Sequence, residues 1–152
     1  MIRKIRIVME KILISACLVG DNCKYNGGNN LSPKLESLLD KYELIPFCPE
    51  VEGGLPTPRN PSEIKDSGVF MDNGEDVTRA YEWGARKALM LCLYLKIKIA
   101  VLKERSPSCG THHIHDGTFS DKLIDGMGIT AKLLKENGIN VYSEDEIDQL
   151  IN

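Results

Sequence analysis

Short apolar runs alternate along the chain with segments of helical periodicity, and this alternation constrains the fold more than any other feature. The predicted strands cover residues 12–17, 43–47, 97–102 and 139–142, and the predicted helices cover 32–42, 76–95, 127–136 and 145–151. Strands that alternate with helices form mostly parallel sheets, because each connection must cross over the sheet. We therefore predict an α/β fold, a Rossmann-like three-layer sandwich with a mostly parallel sheet.

The length and composition fit one folded domain. The chain has 152 residues, 42% of them hydrophobic and 27% charged, which is enough for a single hydrophobic core. We predict an N-terminal extension at residues 1–10 and one domain at residues 11–152. Charged residues interrupt the apolar stretch near the start, which is atypical of a secretory signal, and no apolar run reaches the roughly 18 residues that span a bilayer. We expect a cytoplasmic protein without membrane contact.

The charge of the chain bears on its partners. The formal net charge is -3. A weakly acidic chain is an unfavourable nucleic-acid binder, because phosphate contacts need clustered lysines and arginines. We therefore expect a small-molecule partner rather than nucleic acid, and the sequence does not indicate an oligomeric state.

The five cysteines fall into different contexts. Cys92 lies in the helical run LMLCLYL and is predicted to be a buried apolar side chain. Cys17 ends the first predicted strand, Cys48 ends the second, and Cys109 lies in the loop after the third. The carboxyl ends of parallel strands meet at the edge of the sheet where ligands bind, so these three thiols are candidates for one shared site. Soft thiolates suit zinc, copper(I) or an iron–sulfur cluster.

Two further assignments of metal-ligating residues stay open. Cys23, in NCKYNGG, is either a fourth ligand that closes the site or a residue that lines its mouth, and we favour the second role. Cys109, His112, His113 and His115 form a C-x-x-H-H-x-H cluster that is compatible with zinc. The alternative is that these histidines belong to a solvated loop or border a substrate pocket.

Four motifs connect the chain to a known family. In sequence order they are SACLVG, KYNGG, FCPEVEGGLPTPR and SPSCG. In this order and spacing they resemble the motifs of the TudS-type thiouracil desulfidases, a family built on a widespread bacterial domain. The resemblance extends from Lys11 to the last predicted strand, and the chain is similar to the short, single-domain form.

The resemblance implies a cofactor and a set of site residues. The cofactor is a 4Fe–4S cluster with three protein cysteine ligands, Cys17, Cys48 and Cys109, whose fourth iron is free to take the sulfur of a thiocarbonyl. It further implies that Glu50 and Ser106 carry the proton chemistry. The expected substrate contacts are Lys24, Tyr25 and Asn26, together with the candidate pocket cation Arg59.

The reaction that the resemblance implies is hydrolytic removal of sulfur from a thiolated pyrimidine such as 2- or 4-thiouracil, giving uracil and sulfide. A thiocarbonyl carbon is a modest electrophile, so a metal that withdraws charge through the sulfur would help. Glu50 would then accept a proton from the attacking water. Two alternatives remain: a cluster-dependent sulfur carrier or sulfurtransferase, and a non-enzymatic zinc-binding sensor or structural domain.

Overall fold

The computed structural model describes residues 8–152 and contains eight strands and five α-helices. The strands are β1 (Glu10–Ser15), β2 (Tyr42–Phe47), β3 (Ser62–Lys65), β4 (Gly68–Met71), β5 (Ile99–Leu102), β6 (His113–His115), β7 (Leu123–Asp125) and β8 (Asn140–Ser143). The helices are α1 (Leu35–Leu39), α2 (Pro49–Glu52), α3 (Thr78–Leu95), α4 (Ile129–Glu136) and α5 (Asp148–Ile151). Of the predicted extension at residues 1–10, residues 1–7 lie outside the described part of the chain.

The central sheet is parallel and has the spatial order β2-β1-β5-β8. Its members are the four strands predicted from the apolar runs, so the α/β prediction is confirmed. The register pairs Ser15 with Phe47 and Leu102 with Ser143, which aligns the carboxyl ends of all four strands at one edge. The connections from β1 and β5 leave in opposite directions, and an open α/β sheet forms its binding crevice at such a point.

Apolar side chains alternate between the two faces of the sheet, because successive strand residues point to opposite sides. Ile12 and Ile14 pack with α1 and α5 on one face. Leu13 packs with α3 and α4 on the other. The result is the predicted three-layer sandwich. Within residues 8–152, none of these helices combines the length and the hydropathy that crossing a membrane requires.

The structure corrects three local predictions. The first strand ends at Ser15 rather than Cys17, because the chain turns into a 3-10 turn at Ala16–Val19. The predicted irregular excursion after Pro49 contains α2 and the β3–β4 hairpin, which turns at Asp66 and Ser67, both with positive φ. The predicted loop after Ser106 contains a second hairpin, β6–β7.

Helix α2 lies unusually close to α3, and two glycines permit the contact. A Cβ at Gly84 would collide with the Pro49 carbonyl oxygen, and one at Gly53 would collide with the Ala80 carbonyl oxygen. Since neither position accepts a side chain, the two backbones touch directly. This contact fixes the height of Glu50, which α2 carries, above the sheet edge.

Candidate active site

A cavity of about 390 Å³ opens at the carboxyl edge of the sheet, a size within the usual range of small-ligand pockets. Four of the five cysteines line it, namely Cys17, Cys23, Cys48 and Cys109. The fifth, Cys92, is fully buried among apolar residues of α3, α4 and the sheet, as the sequence predicts. The structure therefore gathers the three candidate ligands on one cavity and adds Cys23.

One side of the cavity, the three-thiol wall, consists of Cys17, Cys23 and Cys48. The neighbouring Cys23 thiol lowers the pKa of both other thiols against the opposing effect of burial, and the pKa of Cys48 falls to about 7. The same interactions raise the pKa of Cys23. This wall thus holds thiols that ionise readily next to one that does not.

The opposite side, the serine wall, consists of Ser106, Ser108 and Cys109. Cys109 is 4% exposed, and burial raises the pKa of its thiol to about 12. The Ser108 hydroxyl oxygen lies 3.4 Å from its sulfur. A buried thiol of this kind becomes a thiolate when a metal cation supplies the compensating charge.

The amino end of α4 supports the serine wall. The backbone N–H groups of Ile129, Thr130 and Ala131 donate to the carbonyls of Pro107 and Ser108 at 2.8 to 3.1 Å. These donors have no partner within their own helix, so the loop caps the helix while the helix fixes the loop. The helix begins at Ile129, two residues after its predicted start, because Gly128 is its N-cap.

Glu50 follows Cys48 by two residues, and its carboxylate reaches the serine wall. Its Oε1 accepts from the Tyr81 hydroxyl at 2.7 Å and from Arg59 Nε at 3.2 Å. Its Oε2 accepts from the Ser108 hydroxyl at 3.2 Å and lies 3.5 Å from that of Ser106. Burial and the neighbouring Glu50 charge raise the pKa of Tyr81, which stays a donor. Tyr81 and Arg59 therefore hold Oε1 in place, and Oε2 faces the serine wall.

The two serine hydroxyls donate their protons in one direction. Ser106 Oγ accepts from the backbone N–H groups of Ser108 and Cys109, both at 3.1 Å, which uses its two lone pairs. Its proton must then be donated, and Ser108 Oγ at 3.0 Å is closer than the Glu50 carboxylate. Ser108 in turn donates to Glu50. The hydroxyls therefore form a chain that runs from Ser106 through Ser108 to Glu50.

Arg59 lies in the cavity wall with a side chain that is only 3% exposed. Besides Glu50, its guanidinium donates to the Cys23 carbonyl at 2.8 Å and to the Pro56 carbonyl at 3.2 Å. Its place in the PTPR segment makes Arg59 a candidate cation of the pocket. The structure shows that its donors point mainly into protein, where they fix Glu50 and the loop of Cys23.

The other expected substrate contacts lie at the mouth of the cavity. Lys24 and Tyr25 are among the lining residues, and Tyr25 is 45% exposed. Asn26 is not among them, and its side chain accepts from the Gly28 N–H within its own turn. The structure therefore brings two of these three residues to the cavity.

Two residues of the site were missed in the sequence. Ser108 lies inside SPSCG, so its place in the motif was a usable signal. Nothing in the sequence indicates a functional role for Tyr81, because its position in α3 has the spacing of an ordinary core residue. The side chain is 1% exposed. Only the contact of α3 with α2 brings its hydroxyl to Glu50.

The donor set suits a cluster better than a single ion. Within residues 8–152, no group of three or more His, Cys, Asp or Glu side chains converges to hold one metal ion. The zinc alternative is therefore not supported: His112, His113 and His115 contact separate carboxylates, those of Glu146, Asp125 and Asp121. A four-iron cube is larger than one ion, and free thiols spaced around a cavity fit it.

Comparisons with known proteins show the family of this chain. The family model of 2-thiouracil desulfurase matches residues 12–146. The uncharacterized protein YbbK of Bacillus subtilis (strain 168) is 41% identical over an alignment of 150 residues that covers 92% of this chain and 99% of that protein. A solved structure of the 4Fe-4S-dependent thiouracil desulfidase TudS has a TM-score of 0.88 and 45% identity, covering 93% of this chain and 95% of that one. The match extends over most of the fold and confirms the resemblance seen in the motifs, and it shows that the chain belongs to the 2-thiouracil desulfurase family of enzymes.

Proposed function

We propose that this protein is a cluster-dependent desulfidase that removes sulfur from a thiolated pyrimidine by hydrolysis. The observation that carries the proposal is the position of Glu50, which follows Cys48 by two residues, lines the same cavity as the thiols and bonds to the serine wall. The similarity to TudS, which is named as 4Fe-4S-dependent, supports the same cofactor here. Residues 11–152 form the catalytic domain in this proposal, and the reducing cytoplasm is its place of action.

Cys17, Cys48 and Cys109 would hold the cluster. When bound, a 4Fe–4S cluster with three protein ligands supplies an open iron that acts as a Lewis acid toward the sulfur of a thiocarbonyl. Cys23 also lines the cavity, in the loop after β1. We assign it to the mouth of the site rather than to the ligand set, because three cysteine ligands leave one iron open for the substrate.

Glu50 is the proposed general base. It accepts a proton from the water that attacks the thiocarbonyl carbon, a carbon–oxygen bond forms, and the carbon–sulfur bond breaks. Thiouracil and water thus give uracil and hydrogen sulfide, with no net change of oxidation state. The Glu50 carboxyl would return this proton to the departing sulfur, and the hydroxyls of Ser106 and Ser108 would assist by hydrogen bonding to Glu50.

The mouth of the cavity supplies the proposed substrate contacts. Tyr25 presents an exposed aromatic ring on which a flat pyrimidine can stack, and Lys24 supplies a cation beside it. Arg59 acts through Glu50 and the Cys23 carbonyl. Asn26 keeps the turn that carries Tyr25 in shape.

An anaerobic preparation tests the proposal. We expect a brown protein that releases sulfide from 2-thiouracil without any added sulfur acceptor. Glu50→Gln keeps the shape of the side chain but removes the base, so its visible absorbance should be unchanged while turnover falls by about a hundredfold or more.

Three outcomes would contradict this proposal. Sulfide that appears only with a thiol acceptor would favour the sulfur carrier. A colourless protein with stoichiometric zinc would favour a structural or sensor domain. Full turnover in Glu50→Gln would remove the carboxylate from the reaction.

A further inference from the structure

Glu104 is a buried carboxylate that the proposed reaction does not use. It is 7% exposed and directly precedes the loop of the serine wall. Its Oε1 accepts from the backbone N–H groups of Thr111 at 2.9 Å, of His112 and His113 at 3.0 Å, and of Arg105 at 3.2 Å. One side chain therefore binds backbone on both sides of SPSCG.

These bonds compensate the buried charge. Burial acts to raise the pKa of Glu104, but the backbone N–H donors outweigh it and lower the pKa, so the carboxylate stays ionised. Lys103 donates to the Glu104 carbonyl rather than to its carboxylate. The Glu104 carboxylate therefore bonds to the backbone of the loop.

The loop that Glu104 closes contains a strained residue. Arg105 has a φ of +70°, a conformation that residues other than glycine adopt rarely, and its N–H is one of the bonds to Glu104. Ser106 follows immediately, and Cys109 lies three residues further on. The position of both side chains consequently depends on backbone that the carboxylate holds.

We propose that Glu104 is the positioning residue of the serine wall, holding Cys109 and Ser106 where a cluster and its substrate require them. The roles of Cys109 and Ser106 in this inference rest on the proposed function. The geometric part, that Glu104 keeps the loop closed over Cys109, stands without it.

Cys92 provides an internal control for this proposal. It is buried in the same apolar cluster as Cys109 but lies in the last turn of α3, outside the loop that Glu104 holds. A change that loosens the whole domain would expose both thiols. A change that opens only the loop would expose Cys109 alone, because local and global opening are separate events.

The test measures alkylation of each cysteine in the full-length, cluster-free protein by site-resolved mass spectrometry. In Glu104→Ala we expect Cys109 to react at least about tenfold faster than in the wild type, because several hydrogen bonds to a charged group are lost. Cys92 should keep its wild-type rate. Glu104→Gln retains one acceptor oxygen and should give an intermediate rate at Cys109.

Glu63→Ala is the matched control variant. Glu63 is also a buried glutamate, 9% exposed, but its carboxylate binds the N–H groups of Gly117 and Phe119, outside the Cys109 loop. Its loss should leave Cys109 labelling unchanged. An unchanged Cys109 rate in Glu104→Ala, or an equal rise at Cys109 and Cys92, would overturn the proposal. Since labelling needs neither iron nor thiouracil, this result is independent of whether the protein proves to be a desulfidase.

Discussion

Both walls of the cavity carry cysteine, but they shift the pKa of the thiol in opposite directions. On the three-thiol wall, the neighbouring Cys23 thiol lowers the pKa of Cys48 to about 7. On the serine wall, burial raises the pKa of Cys109 to about 12. The first wall follows β1 and β2 in short turns, whereas the second is a longer loop tied down by backbone bonds to α4.

The two walls therefore contribute different chemical groups to the site. The three-thiol wall offers sulfur that binds metal readily, because thiolates are the ligands that metals take. The serine wall offers a rigid backbone and two hydroxyls, and it gains a thiolate only with a metal. Glu50 is carried by the first side and bonded to the second, so neither wall forms the site alone.

Removing a proposed ligand from either wall should have the largest effect. Cys48→Ala and Cys109→Ala should each abolish stable cluster binding and, with it, all turnover, since each removes a ligand bond. Iron per protein after anaerobic reconstitution measures this. Cys92→Ala is the control, because it removes a buried sulfur of similar size without touching the cavity. Equal iron loading in all three variants would contradict the ligand assignment.

Ser108→Ala should separate proton chemistry from metal binding. The variant interrupts the hydroxyl chain between Ser106 and Glu50, so kcat should fall by about a hundredfold, at the lower end of the range for assisted proton transfer. Iron content should fall much less than in Cys109→Ala, because Ser108 contacts the Cys109 sulfur but is not a proposed ligand. Ser32→Ala, which removes a buried serine that does not line the cavity, should retain full activity. A wild-type kcat in Ser108→Ala would show that Ser106 reaches Glu50 without it.

Gly84→Ala tests whether the contact of α2 with α3 places Glu50 between the walls. The new methyl group collides with the Pro49 carbonyl, so α2 must move, at a cost of about 1–3 kcal/mol in the free energy of unfolding. We expect kcat to fall by about tenfold, because a small misplacement of a reacting group is costly. Glu82→Ala, at an exposed position of the same helix, should change neither quantity. Gly84→Ala with normal kcat would show that Glu50 does not depend on this contact.

Tyr81→Phe removes one of the two bonds to Glu50 Oε1 and leaves that of Arg59. Losing one hydrogen bond to a carboxylate should lower kcat by about threefold to tenfold with little change in KM. Steady-state kinetics on thiouracil measure the split. An effect confined to KM would place Tyr81 in substrate binding instead.

The smallest expected effect is the acid sensitivity of the serine wall. Because the folded state lowers the pKa of Glu104, its stabilising contribution is present at neutral pH and is lost as pH falls through the lowered value. Glu104→Gln should therefore cost about 1–2 kcal/mol at pH 7 and progressively less in acid. Lys103 and Glu144, which contact the Glu104 backbone, are the same in both proteins. Urea unfolding at several pH values measures the difference, and a constant gap would contradict the role of the charge.

Much of the fold could be predicted because apolar periodicity determines it. The four strands of the central sheet follow from continuous apolar runs such as ILIS at residues 12–15. The hairpins β3–β4 and β6–β7 were not predicted, because strands of three or four residues with mixed burial leave little periodicity to detect. The end of β1 was placed two residues too late, since Ala16 and Cys17 continue the apolar run through the turn.

The site was partly predictable for a related reason. Cysteines at strand ends can be recognised, because parallel strands bring their ends together. Glu104 and Tyr81 cannot, since their partners lie on other segments of the chain and a buried glutamate or tyrosine has no local mark. Arg59 was identified as a cation of the pocket, but only the folded structure shows that Glu50 and the Cys23 carbonyl occupy its donors.

The central claim is that Glu50 directs water at a thiocarbonyl carbon held between the two walls. The most direct measurement gives the anaerobically assembled wild-type protein 2-thiouracil in oxygen-18-labelled water, with no thiol acceptor present. We expect every uracil to carry one oxygen atom from that water where the sulfur was, matched by one sulfide released. Uracil without the label, or desulfuration that requires an acceptor, would contradict a hydrolytic site.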